Sequence, residues 1–272
     1  MSLAHGRPYL AIPGPSVIPD AVLQAMHRAS PNIYEGDLID MVGGMIPELR
    51  AVARTDGNVA IYIANGHGAW EAALANTVAP GEKVLVCATG RFGHGWAEMA
   101  EGLGIEVEIL DFGLKTPIDA ARVREALRAD QGGRVKAVLA VHVDTSTSLR
   151  SDVAEIRRAL GEAGHPALLM VDCIASLGCD PFEMDLWGAD VTVTGSQKGL
   201  MVPPGNPGDD RGIAVWDLTN PGSAPTFTPS NDRMKFVGAT ALRGGKIQVR
   251  ASQAWTGIAW CLESSSNTGS TS

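Results

Sequence analysis

Nowhere in the chain do apolar residues run on for the roughly 18 positions a membrane-spanning helix requires, so no membrane role is expected. Positive charge is scarce: 22 Lys and Arg stand against 30 Asp and Glu, a formal net charge of −8. With no Lys/Arg cluster to override that balance, no nucleic-acid surface is expected either. Cysteine is sparse too. Cys87, Cys173, Cys179 and Cys261 form neither a CxxC pair nor a metal-ligand spacing, which reads as free thiols in a reducing cytoplasm and no metal site. The opening residues, MSLAHGRPYLAIPGPS, lack the basic-then-apolar pattern of a secretory leader, again consistent with the cytoplasm. Missing as well are a GxGxxG after the first strand and a GxxxxGK[ST] anywhere, so neither common nucleotide-binding fingerprint is present. The chain carries no internal repeat.

What is there is a rhythm. At 272 residues, 45% hydrophobic and 19% charged, the chain has ample length for a buried core. Residues 8–19 (PYLAIPGPSVIP) are too rich in proline for a helix, and 1–18 read as an extended N-terminal segment. Asp20 is expected to N-cap a helix reaching about Ala29, with Val22, Leu23 and Met26 on one face. Leu38 to Ala53 has helical spacing, interrupted by Gly43-Gly44 and Pro47. From VAIYIA (59–64) onward, β-rich runs alternate with helical segments: KVLVCA (83–88), VEILDF (107–112), VKAVLAVHV (135–143) and ALLMVD (167–172), with helices near 69–78, 93–102, 119–127 and 152–161. Strands alternating with helices imply right-handed crossovers and a mostly parallel, doubly wound α/β sheet. After Gly205 the rhythm lapses into NPGDDRG, TNPGSAPTFTPS and ESSSNTGSTS, broken only by short apolar runs such as Gly212–Trp216 and Lys246–Val249. Residues 19–205 are therefore expected to form the large domain, and 206–272 an irregular tail.

Two of the apolar runs end in chemistry. Ala167 to Val171 stops at Asp172, and Val191 to Thr194 stops at Gly195-Ser196-Gln197-Lys198. Parallel sheets place ligands at the carboxyl ends of their strands, so an acid and an amine would share one sheet edge. An enzyme using pyridoxal 5′-phosphate needs such a pair: a lysine for the Schiff base and an acid for the pyridinium nitrogen. Each residue also has a plainer reading, Lys198 as a solvated lysine and Asp172 as a turn cap. Asn65-Gly66-His67-Gly68 joins a strand to a helix N-terminus, where unpaired N–H groups and the helix dipole favour a phosphate; any βα turn tolerates two such glycines. His67 is expected to matter through its backbone or ring packing. Phe92, in the next strand–helix turn, is either core or a stacking platform for a flat cofactor. After His142, the hydroxyls of Thr145, Ser146 and Thr147 either cap the next helix or hydrogen-bond the cofactor's phenolate oxygen.

Together IPGPSVIPDAVLQAM, NGHGAWEAALANTVAPGEKVLV, VDCIASLG and TVTGSQKGLMVPPG closely resemble the class V aminotransferases, above all the serine–glyoxylate and alanine–glyoxylate enzymes. The likeness runs over roughly residues 8–205. It implies the large domain of the fold-type I pyridoxal-phosphate transferases, a seven-stranded-type sheet flanked by helices, in a homodimer with active sites at the subunit interface. By that resemblance Lys198 is the Schiff-base lysine and proton shuttle, and Asp172 pairs with the pyridine nitrogen. Ile174 packs beneath the ring and Phe92 stacks on its other face. Gly66 and His67 give backbone N–H groups to the phosphate with Gln197 close by, and Thr145 approaches the phenolic oxygen. The implied substrates are a small amino acid, serine or alanine, and glyoxylate or another small 2-oxo acid.

The chain also departs from the family. His142-Val143-Asp144-Thr145-Ser146-Thr147-Ser148 stands where the family commonly reads His-Asn-Glu-Thr-Ser-Thr-Gly. Neither the family's substrate-binding arginine nor its Tyr/Thr phosphate segment can be matched in 206–272; Arg243 and Arg250 lie in the wrong context. Two further readings therefore stand beside transamination. One is a truncated or frameshifted relative, inactive or weakly binding the cofactor, with no recognisable small C-terminal domain. The other is a different class V activity such as cysteine desulfuration, for which none of the four cysteines lies in a suited loop.

Overall fold

Each β-rich run between Asn58 and Gly195 becomes a strand, and each amphipathic segment between them a helix laid back across the sheet. A computed structural model describes residues 11–32, 34–62 and 64–203 in full, together with the backbone of 212–216, 239–242 and 246–249. The elements are α1 (Asp20–Met26), α2 (Asp37–Ala53), β1 (Asn58–Ile61), α3 (Gly66–Thr77), β2 (Lys83–Ala88), α4 (Arg91–Gly102), β3 (Glu106–Asp111), α5 (Ala120–Ala129) and β4 (Val135–Val141). Then follow β5 (Val143–Asp144), β6 (Leu149–Arg150), α6 (Val153–Ala163), β7 (Leu168–Asp172), α7 (Met184–Trp187), β8 (Val191–Gly195), β9 (Gly212–Trp216), β10 (Ala239–Leu242) and β11 (Lys246–Val249).

The main sheet has seven strands in the order β1-β9-β8-β7-β4-β2-β3. Strands β3, β2, β4, β7 and β8 run parallel, while β9 is antiparallel to both β8 and β1. Both faces of the central strands are covered, which is why β2, β4 and β7 are largely apolar, whereas the edge strand β3 carries Glu106, Glu108 and Asp111. Leu85, Val138, Leu169 and Val171 meet Val123, Leu127, Ile156 and Leu160 of α5 and α6 on one side. Val84, Val86, Leu139 and Met170 meet Trp70, Leu74, Trp96 and Ala100 of α3 and α4 on the other. Odd and even strand positions thus divide between the two helical layers, as the period of two requires. Each fully buried Leu, Ile or Val contributes about 1.5–3 kcal/mol by leaving water.

Several expectations shift. Asp20 is not an N-cap: Pro19 takes that position, Asp20 is the first helical residue, and α1 stops at Met26 with Leu23 and Met26 exposed. Helix α2 runs unbroken through Gly43-Gly44 and Pro47. Helices α3 and α4 begin earlier than periodicity suggested, because their first turns carry glycines with no apolar signal. The sheet takes in a strand beyond Gly205, since Gly212–Trp216 pairs with β8 from Val191↔Trp216 to Gly195↔Gly212. An antiparallel strand needs no crossover helix, so β9 breaks the rhythm while still belonging to the sheet. Strands β10 and β11 pair antiparallel from Ala239↔Val249 to Leu242↔Lys246. The rest of the expected tail, including Arg243, Arg250 and Cys261, lies outside the described residues. Among those described, no helix is long and apolar enough to cross a membrane.

Candidate active site

Strands β7 and β8 are adjacent and parallel, with Asp172 opposite Val193, so their carboxyl ends deliver Asp172 and the Gly195–Lys198 turn to the same edge. Asp172 is 4% exposed. Its Oδ1 accepts the Ile174 N–H at 2.7 Å and its Oδ2 accepts the Trp70 indole N–H at 3.0 Å. Burial pushes its pKa up to about 7; these two donors pull the other way, the Asp144 charge adds to the rise, and the Lys198 ammonium opposes it. A buried acid this close to neutrality suits a site that receives a cation. Lys198 Nζ donates to the Pro13 carbonyl at 2.8 Å. The extended N-terminal segment also holds the lysine's backbone: Ser16 donates its N–H to the Gln197 carbonyl at 3.0 Å and its hydroxyl to the Lys198 carbonyl at 3.2 Å.

At the start of α3, Asn65 accepts the Gly68 N–H on its side chain and the Ala69 N–H on its carbonyl. The remaining first-turn N–H groups, those of Gly66 and His67, point out of the helix end. A Cβ on Gly66 would lie 2.6 Å from Ile174 Cδ1, so the α3 terminus sits directly against the turn after Asp172. One on Gly195 would lie 2.7 Å from Gln197 Oε1 and 3.4 Å from Ile174 Cγ2, which brings Gln197 to the same corner. That Gln197 oxygen is buried without a hydrogen-bond partner, an orphan a ligand donor would satisfy. The His67 ring packs edge-on to Trp70 at 4.8 Å.

Phe92 lies in the first turn of α4, half-buried, its ring 6.2 Å from Trp70. Its position depends on Asp144, which is fully buried. Asp144 Oδ2 accepts the N–H groups of Phe92 and Gly93 at 3.0 and 3.3 Å, while Oδ1 accepts the N–H and hydroxyl of Ser146 at 2.9 and 2.5 Å. Ser146 in turn accepts the Arg91 N–H at 2.9 Å. The helix that follows is N-capped by Asp152 rather than by these hydroxyls; that of Ser146 helps to cap α4 instead, and that of Thr147 donates to the Thr89 carbonyl at 3.1 Å. Thr145, half-buried, sits between the two anchors. His142 stays in the core, its Nδ1 2.9 Å from the Ser176 hydroxyl and its ring against Phe182 and Trp187.

Of the residues singled out from sequence, Gly66, Ile174 and Gln197 thus meet at one corner beside Asp172, and Trp70 links Phe92 and His67 to that acid, whereas His142 does not join them. Sequence reasoning missed Trp70, Asp144, Pro13 and Ser16, whose partners are distant in the chain. It also left Gly199 without a reason. A Cβ there would overlap the Leu177 carbonyl oxygen, so only glycine lets the turn after β8 pass the turn after β7. The donor set fits pyridoxal phosphate: an acid for a ring nitrogen, an amine for an aldehyde, two helix-terminal N–H groups for a phosphate, and apolar Ile174 and Phe92 for a flat ring. Cys87 and Cys173 are buried, and burial raises both thiols, Cys87 to about 12; neither is poised as a nucleophile.

Over residues 54–206 the chain matches the family model for class-V aminotransferases. It is 41% identical over 201 residues to a serine–glyoxylate aminotransferase of Methylorubrum extorquens, a stretch covering 74% of this chain and 50% of that protein. An L-aspartate–glyoxylate aminotransferase of Paracoccus denitrificans is 41% identical over 199 residues, covering 71% and 49%. Among solved structures, an aspartate aminotransferase of Thermus thermophilus superposes with a TM-score of 0.70 at 29% identity, covering 77% of this chain and 57% of that one. The chain spans about half the length of the curated relatives it matches.

Proposed function

The chain belongs to the class-V aminotransferase family, whose members are pyridoxal-phosphate enzymes, and from that premise we propose that it carries the cofactor site of an aminotransferase. The observation that carries this reading is the delivery of Asp172 and Lys198 to one edge by adjacent parallel strands. The proposed reaction moves the amino group of serine or alanine to glyoxylate or another small 2-oxo acid, in a homodimer acting in the cytoplasm. The glyoxylate aminotransferases among its relatives support the acceptor.

When bound, the cofactor supplies a cationic ring that draws electron density from a neighbouring carbanion. The protein's residues do the rest. Lys198 Nζ, which donates to the Pro13 carbonyl, would be the amine that holds the cofactor and, once released by the incoming substrate amine, the group that moves the proton at the substrate Cα. Asp172 holds the ring nitrogen protonated. Gly66 and His67 N–H groups would hold the phosphate near Gln197, Ile174 and Phe92 would offer apolar surface to the ring, and Thr145 would offer a hydroxyl to the phenolic oxygen.

Adding pyridoxal phosphate to the purified protein tests this reading. The expected result is a visible band that borohydride fixes on Lys198, that serine discharges and glyoxylate restores, and that Lys198→Ala abolishes. Transamination surviving Lys198→Ala would sink the assignment. A second reading is a cofactor-binding unit without turnover. It predicts a fixed band that no amino acid perturbs.

A further inference from the structure

Two indoles stack behind Asp172, Trp70 from α3 and Trp96 from α4, with ring centroids 5.7 Å apart and planes 15° from parallel. Both are buried, at 1% and 0% exposure. Their N–H groups are used differently. Trp70 Nε1 donates to Asp172 Oδ2 at 3.0 Å, whereas Trp96 Nε1 is buried with no partner. Packing alone would treat the two rings alike, so the bond to Asp172 is a separate property of Trp70. The same indole meets His67 edge-on at 4.8 Å and Phe92 at 6.2 Å. One side chain therefore touches the acid, the phosphate-side helix turn and the aromatic over the ring site.

We propose that Trp70 is a positioning residue of the cofactor site, its indole N–H fixing the plane of the Asp172 carboxylate while its ring edges keep Phe92 and His67 in register with that acid. The inference rests on the reading of Asp172 as the partner of the cofactor's ring nitrogen. With Ile174 N–H on Oδ1 and Trp70 N–H on Oδ2, the carboxylate cannot rotate without breaking a buried hydrogen bond. Each oxygen keeps a lone pair for the incoming N–H. The charged groups facing Asp172 come from other elements: Asp144 from β5, which favours the protonated acid, and Lys198 after β8, which favours the carboxylate. Its neighbour Cys173 is held protonated by burial. Trp70 is the contribution of α3, a neutral donor that favours the carboxylate without adding charge.

The test compares Trp70→Phe with Trp96→Phe, each exchanging one stacked indole for a phenyl ring. In the cofactor-free protein, carbon-13 NMR of the Asp172 carboxyl, assigned with Asp172→Asn, reads its protonation midpoint. Trp70→Phe is expected to raise that midpoint by about one pH unit, the effect of losing one donor to a buried charge. It is also expected to weaken pyridoxal-phosphate binding about tenfold. Trp96→Phe should move neither. Equal responses from the two variants would overturn the proposal. Should Trp70→Phe not fold, the unsubstituted protein supplies the answer: the Trp70 indole N–H resonance should titrate with the Asp172 midpoint while that of Trp96 stays put, and an unmoved Trp70 signal would overturn the tie. If the unsubstituted protein bound no pyridoxal phosphate while the midpoint still rose in Trp70→Phe, the cofactor reading would fall and the Trp70–Asp172 tie would stand.

Discussion

Asp172 is an acid where an acid is costly, and its protonation should govern how the cofactor-free protein responds to pH. Its folded-state value near 7 lies above the ordinary 3.8 because burial disfavours the charge. Between those values the folded state binds the proton that the unfolded state releases. The stability it contributes is thus fully present below about pH 4 and is lost as pH rises through about 7. Urea unfolding at pH 5 and pH 7.5 should show that loss, and Asp172→Asn should flatten it. Gly66 sets the neighbouring dimension. Gly66→Ala would press on the flexible tip of Ile174, so folding stability should change by less than about 1 kcal/mol while cofactor affinity falls. Ile174→Val in the same chain, by removing the Cδ1 that the new methyl meets, should restore affinity in a binding titration. Neither contact could be read from sequence, because residues 66 and 174 belong to different layers.

Helix ends divide by how far away their partners lie. Asn65, Asp119 and Asp152 cap α3, α5 and α6 from one residue before each helix, accepting the N–H groups of Gly68, Ala121 and Glu155. Local chemistry of that kind is legible in sequence, and Asn65→Ala should cost about 1 kcal/mol. Helix α4 is different: its N-cap, Gly90, has no side chain, and the anion it needs is Asp144, more than fifty positions away. Asp144 therefore reads in sequence as a shortened Glu of the family pattern, whereas in the fold it is what holds Phe92 beside Thr145. Asp144→Ala should leave the Phe92, Gly93 and Ser146 N–H groups without their acceptor and destabilise the protein by about 2–4 kcal/mol in urea unfolding. Asp144→Asn keeps an oxygen for these donors and should lose less.

Across the whole sheet, the decisive piece is a short apolar run within an otherwise turn-rich stretch. β9 lies between β8 and β1, so the strand that carries Lys198 at its end is an interior strand only because Gly212–Trp216 returns beside it. A chain ended at Gly205 would leave β8 with an open edge and β1 with no partner in this sheet. It should aggregate or fail to hold the Lys198 turn, which light scattering and borohydride trapping against the full chain would reveal. Gly199 matters at the same scale, since it lets the loops after β7 and β8 cross at contact distance. Gly199→Ala should displace the Lys198 turn and reduce cofactor trapping more than the loss of a surface glycine would.

The sequence by itself determined the alternation of strand and helix, the parallel sheet, and the types and order of the residues at its carboxyl edge. Those follow from local periodicity, turn chemistry and motifs that each lie within one short stretch. Tertiary structure alone decided that Trp70 holds Asp172, that Asp144 caps a helix that follows the neighbouring strand, and that Pro13 and Ser16 fold over Lys198. It also decided that a strand beyond Gly205 completes the sheet. The physical reason is the same in each case: a buried hydrogen bond or an antiparallel pairing joins residues far apart in the chain, and its energy exists only once the layers between them have packed.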